Sequence, residues 1–186
     1  MKKVIQLIVL LSIVVLKGYT QNSSPSEQYG KTLNLGLGIG YYGYTTHPVG
    51  EVHADYEFDI FRNFTLAPFI NFYSYRNDYY WGDPYYPYKN YSYTETVIPI
   101  GVKGAYYFDE LMRASSKWDF YVATSVGFAI RTVTWSSDYY GDKNAYSNAS
   151  ALYFSMHAGA EYHLSQRVGL FLDLSTGVST VGIAIH

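Results

Sequence analysis

The chain has 186 residues, no cysteine and a formal net charge of −2. Without cysteine there is neither a disulfide framework nor a thiolate zinc site, and the slightly acidic balance argues against a nucleic-acid partner, which shows itself as a basic patch. Aromatic residues make up 19% of the chain, with 23 Tyr among them; an apolar ring with a polar tip suits membrane interfaces and wet contact surfaces.

Residues 1–20, MKKVIQLIVLLSIVVLKGYT, open with Lys2 and Lys3, continue as an apolar run from Val4 to Leu16, and end in small or turn-prone residues. That layout predicts a secretory signal peptide cut near Thr20–Gln21. No cysteine stands at the cut, so a lipid anchor is excluded there. Removing Lys2, Lys3 and Lys17 leaves 10 basic against 15 acidic residues, a net charge of −5. Residues 21–31, QNSSPSEQYGK, read as a short polar leader, and residues 32–186 as one domain. Past the signal no apolar run is long enough for a membrane helix.

Period-two alternation then dominates. Strand one is expected over Thr32–Tyr44, with Leu33, Leu35, Leu37 and Ile39 opposite Asn34, Gly36, Gly38 and Gly40. Its GLGIG lacks the GxGxxG spacing and precedes no helix pattern, so it reads as small inward residues, not a nucleotide loop. Strand two is expected over Glu51–Phe61 and strand three over Phe64–Tyr75, where Pro68 predicts a bulge or a weakened ladder. Arg76–Tyr93, RNDYYWGDPYYPYKNYSY, reads as a long loop. Strand four follows over Thr94–Phe108 and strand five over Trp118–Trp135, and Ser136–Ser150 is a second long polar loop. The clearest alternation is Ala151–Leu164, with Leu152, Phe154, Met156, Ala158 and Ala160 opposite Tyr153, Ser155, His157, Gly159 and Glu161. Strands seven and eight fall at Val168–Leu174 and Val178–Ile185, and His186 has inward parity.

Eight long strands, each with one apolar and one polar face and with long and short connections alternating, predict an all-β, eight-stranded antiparallel up-and-down transmembrane β-barrel. The competing architecture is a soluble lipocalin-like barrel with the apolar face turned inward around a ligand. In the membrane reading, Glu51, His53, Asp55, Glu57, Lys103, Arg131, His157, Glu161 and Asp173 point into the barrel. Charge buried there must be paired or hydrogen-bonded. The expected result is a polar plug; the other readings are a narrow ion or proton path, or a cation site among the surplus carboxylates. His53 and His157 lack the spacing of a metal motif, so neither a metal nor a cofactor is expected. Ser155, His157 and Glu161 share one strand and do not form a nucleophile, base and orienter in series.

The two long loops carry Tyr79, Tyr80, Trp81, Tyr85, Tyr86 and Tyr88, and Tyr139, Tyr140 and Tyr146. Aromatic rings beside Asp and Asn suit a glycan or a surface protein; the other reading is an aromatic girdle with loop self-packing.

The segments VGLFLDLSTG (Val168–Gly177) and VSTVGIAIH (Val178–His186), a strand, a Gly turn and a final strand, resemble the end of the outer-membrane β-barrel domain family of the OmpA/OmpX-like class. The resemblance implies an outer-membrane location in a Gram-negative bacterium, lipid as the surrounding partner, and a monomer. A non-enzymatic structural or surface-binding role is expected. The alternatives are a narrow channel or carrier, an envelope-lipid-modifying enzyme, and the soluble ligand binder.

Overall fold

The computed structural model describes residues 29–40, 49–112, 114–143 and 151–186. They form eight strands: β1 (Thr32–Gly40), β2 (Val49–Phe61), β3 (Phe64–Asp83), β4 (Tyr86–Tyr107), β5 (Trp118–Trp135), β6 (Ala151–His163), β7 (Val168–Ser175) and β8 (Val178–Ile185). One helical turn, α1 (Asp109–Met112), lies between β4 and β5. Every strand pairs antiparallel with its sequence neighbour, and β1 pairs with β8, so the sheet closes into a barrel. Closure removes the free edges, which is what lets strands cross a membrane.

The faces decide between the two architectures. Leu37 and Ile39 on β1, Val52 on β2, Ile70 and Phe72 on β3, Ile100 on β4, Val126, Phe128 and Ile130 on β5, Leu152, Phe154 and Met156 on β6, Leu172 and Leu174 on β7 and Val181 and Ile183 on β8 all lie exposed on the outside. Asn34, Glu51, Asp55, Glu57, Asn71, Lys103, Ser125, Ser155, Glu161 and Asp173 are buried inside. This is the reverse of a lipocalin-like barrel, and the soluble reading is overturned: no aqueous protein gains by presenting apolar side chains all round and burying its charges.

The outward apolar band has a sharp edge. Ile98 faces Ile130 across β4 and β5, with Phe72 beside them on β3; the next outward row is Ser74, Thr96 and Thr132. At the opposite end, Tyr56 packs on Phe58, and Trp118 packs on Phe120 and Tyr162, a girdle of the kind found at membrane–water boundaries.

Two strands continue beyond that edge. Arg76–Tyr93 is not a loop: β3 and β4 run on as a hairpin, paired from Arg76↔Thr94 to Asp83↔Tyr86. Asp83 Oδ1 accepts from the backbone N–H of both Tyr85 and Tyr86, which with Pro84 makes the turn. About ten residues of each strand, roughly 30 Å at a strand's rise, stand clear of the band. Pro68 weakens the ladder on one side only. The β2–β3 pairing skips from Asp55↔Phe69 to Phe58↔Leu66, while Pro68 stays in register with Val102.

The leader's end is also more ordered than its composition implies. Tyr29 is buried, stacks on Tyr107 at 4.1 Å, and donates its hydroxyl to the Asp109 carboxylate. Glycine pairs make room inside the barrel. Gly36 faces Gly182 across the β1–β8 seam, and a Cβ at either would run into the Phe171 ring that fills the gap.

Candidate functional site: barrel interior and aromatic crown

Strand parity points the charged residues inward, and register decides which of them meet. Lys103 on β4 is the hub. Its Nζ donates to Asp55 Oδ2 at 2.7 Å and lies 3.8 Å from Glu57 Oε1. Asn34 Nδ2 donates to both carboxylates, at 3.0 and 2.9 Å. Thr65 and Tyr107 donate to Glu57 Oε2 at 2.7 and 2.8 Å. His53 bridges Asp55 Oδ2 at 2.6 Å and Asn71 Oδ1 at 2.7 Å. Buried carboxylates this close to one another are tolerable because an ammonium and several neutral donors share the charge.

A second chain of contacts crosses β5, β6 and β7. Tyr121 donates to Asp173 Oδ2 at 2.9 Å, His157 Nδ1 is 2.7 Å from Asp173 Oδ1, and His157 Nε2 is 2.9 Å from Ser125 Oγ. Hydroxyl, imidazole and carboxylate thus stand in series, the order a serine hydrolase uses. The serine is Ser125, not Ser155, which meets Thr176 instead. The neighbouring void, among Glu51, His53, Asn71, Ser125, His157 and Asp173, has a volume of about 10 Å³. That holds one water and no acyl group.

The nine inward residues therefore do not form one network. Glu51, His53, Asp55, Glu57, Lys103, His157 and Asp173 occupy the middle. Arg131 lies 3.5 Å from Glu95 towards the hairpin end. Glu161 sits at the opposite end, beside His163 and His186. No sequence spacing announced Ser125, Tyr121 or Tyr107; their parity was visible, their neighbours were not.

The aromatic residues divide into a packed core and an exposed rim. Tyr139, expected on the surface, is only 2% exposed. It stacks on Trp135 at 4.1 Å and meets Trp81 and Tyr91 at 5.3 Å each and Tyr79 at 6.3 Å. This cluster props the protruding β3–β4 ribbon against the segment after β5, since a two-stranded ribbon alone is marginal in water. Lys89 Nζ adds an exposed 2.6 Å contact to Asp138. That hydrogen bond raises Lys89 and lowers Asp138 from their ordinary values. Tyr80, Tyr85, Tyr86, Tyr88 and Tyr140 are exposed, with Tyr85 at 90%. Tyr86 and Tyr140 stack at 4.7 Å, and Tyr80 and Tyr88 pair at 6.1 Å. Tyr146 lies outside the described residues.

A closed eight-stranded barrel with an apolar outside and a charged, filled inside is a transmembrane β-barrel of the small outer-membrane kind. No protein-family model matches the chain, and no curated protein matches it in sequence. Among solved structures it is similar to Neisserial surface protein A, with a TM-score of 0.50 and 12% identity over 83% of this chain and 94% of that one. It is also similar to Ail, the attachment invasion locus protein of Yersinia pestis, solved with the heparin analogue sucrose octasulfate, at a TM-score of 0.46 and 10% identity over 83% of this chain and 94% of that one. A de novo designed transmembrane β-barrel gives a TM-score of 0.45 and 16% identity over 86% of this chain and 98% of that one. At these identities the likeness is one of fold.

Proposed function

We propose that this protein is a non-enzymatic outer-membrane β-barrel of a Gram-negative bacterium that captures an extracellular partner, a glycan or a surface protein, through the tyrosines of its β3–β4 ribbon. Export follows from the signal-like residues 1–20. The end of the barrel carrying Tyr29 and His186 faces the periplasm, and the ribbon faces the medium. The barrel sits as a monomer in lipid, with the polar interior network as its plug.

One observation carries this reading: Tyr80, Tyr85, Tyr86 and Tyr88 on the ribbon, with Tyr140 beside them, remain exposed around a cluster whose centre, Tyr91 and Tyr139, is buried. Rings needed only for self-packing would be covered, as Tyr139 and Tyr91 are. Rings presented on a rigid ribbon lose little entropy on binding and offer broad faces to sugars or side chains.

The test replaces Tyr85, Tyr86 and Tyr88 together with Ser and measures binding of the detergent-folded protein to a glycan array and to intact host-type cells. A loss of at least tenfold, with unchanged heat-dependent gel mobility, supports the reading. Binding that survives the triple substitution, or no binding by the unsubstituted protein on either surface, overturns it.

A further inference from the structure

Three side chains from separate stretches converge at the end of the barrel opposite the ribbon. Glu161 and His163 close β6, and His186 follows β8. Glu161 Oε1 is 2.7 Å from His186 Nε2 and 3.8 Å from His163 Nδ1. One ligand atom from each of the three lies within 4.8 Å of the other two. The side chains are partly accessible, 24% for His163, 19% for His186 and 8% for Glu161.

Donor accounting fixes what these atoms offer. Thr32 Oγ1 gives its hydrogen to Tyr29 O at 2.9 Å, so at 2.9 Å from His186 Nδ1 it is left as the acceptor. His186 Nδ1 therefore carries a hydrogen, and Nε2, hydrogen-bonded to Glu161 Oε1 at 2.7 Å, is the nitrogen that becomes a ligand when a metal ion takes the place of the hydrogen between them. Likewise His163 Nε2 is 2.7 Å from Asp119 Oδ2, which leaves Nδ1 as the lone-pair nitrogen on the Glu161 side. Two imidazole nitrogens and a carboxylate oxygen thus lie within 4.8 Å of one another, a place for a cation once the hydrogen on His186 Nε2 is displaced.

The surroundings are built the same way. Ligating histidines typically hand their other ring N–H to a carboxylate or another oxygen acceptor, which fixes ring orientation; Asp119 and Thr32 occupy those positions here. Gly169 pairs with His163 across β6 and β7, and a Cβ there would overlap the Glu161 carboxylate. The glycine is what lets Glu161 lie across β7 towards both rings.

We propose that Glu161, His163 and His186 form a binding site for one divalent transition-metal ion of the zinc class, with Asp119 and Thr32 as positioning residues. Two imidazoles and one carboxylate match zinc, copper or nickel; calcium and magnesium prefer oxygen alone. Zinc bonds of about 2.0–2.2 Å require the Glu161–His186 contact to open slightly, as the ion replaces the hydrogen between them. Three protein ligands leave a fourth tetrahedral position for water. Bound there, the ion ties the end of β6 to the residue after β8.

The experiment uses the full chain folded in detergent micelles without a polyhistidine tag. Zinc chloride is titrated by calorimetry, and cobalt chloride is followed by visible absorption. The expected result is one ion per chain and a tetrahedral cobalt band. His163→Ala and His186→Ala should each weaken zinc at least about tenfold, and Asp119→Asn should weaken it by about 10–100-fold, the scale of outer-partner losses. Gel mobility before and after boiling checks that each variant is folded, and His186→Gln serves if His186→Ala is not. Absence of zinc uptake, or uptake that survives both histidine substitutions, overturns the site and leaves only a hydrogen-bonded latch.

Discussion

Lys103 shows how one residue sets the character of the interior. Its ammonium is the positive charge against Asp55 and Glu57, which are each 3% exposed. Lys103→Met keeps the volume and removes the charge, so two carboxylates stay buried without their cation. The expected cost is about 3–5 kcal/mol, read as a lower urea midpoint in micelles. Adding Asp55→Asn should recover part of it, because the two positions are directly coupled. Ser125 makes a contrasting case. Its hydroxyl has the imidazole and carboxylate of a hydrolase behind it but room for one water in front. A fluorophosphonate probe should leave it unlabelled in the folded protein; labelling abolished by His157→Ala would show that the interior opens to substrate.

Among the elements, the β3–β4 ribbon departs furthest from what its sequence suggests. Its Tyr, Asp, Asn and Pro content reads as loop, yet Tyr79, Trp81 and Tyr91 fall on one side and Tyr80 and Tyr88 on the other. The signals that were present were this alternation and the Asp83–Pro84 turn, both obscured by composition. The transmembrane strands were legible because lipid demands one apolar side chain in every two, so β5 and β8 are found at the limits that periodicity sets. Partners across strands were not legible, since Ser125 and Asp173 come together only once β5, β6 and β7 are in register. The same holds for His163 and His186, which meet only once β6, β7 and β8 lie side by side. Packing rather than charge secures the ribbon. Tyr139→Ser should sharply raise amide exchange over residues 76–93 while exchange in the barrel strands stays unchanged. Asp138→Asn should change little, because its pair with Lys89 is exposed and screened. With Asp138 held below its ordinary value, that tie is present above the usual carboxylate range and lost only as the pH falls through the lowered value.

For the whole molecule, the outward apolar band and closed ladder predict resistance to SDS. The unboiled protein should migrate differently from the boiled one, and a single mobility under both conditions would contradict a stable closed barrel. Its filled centre predicts no steady current in planar bilayers; a reproducible unitary conductance would instead support the channel reading. The β1–β8 seam has a further consequence, in time rather than space. Leu33 must find Ile185 and Gly36 must find Gly182, so the first strand made waits for the last. Such long-range pairing is slow to form. Until it forms, the backbone edges of β1 and β8 are open to any other chain. Closure in the membrane therefore competes with strand pairing between unfinished chains until those two edges meet.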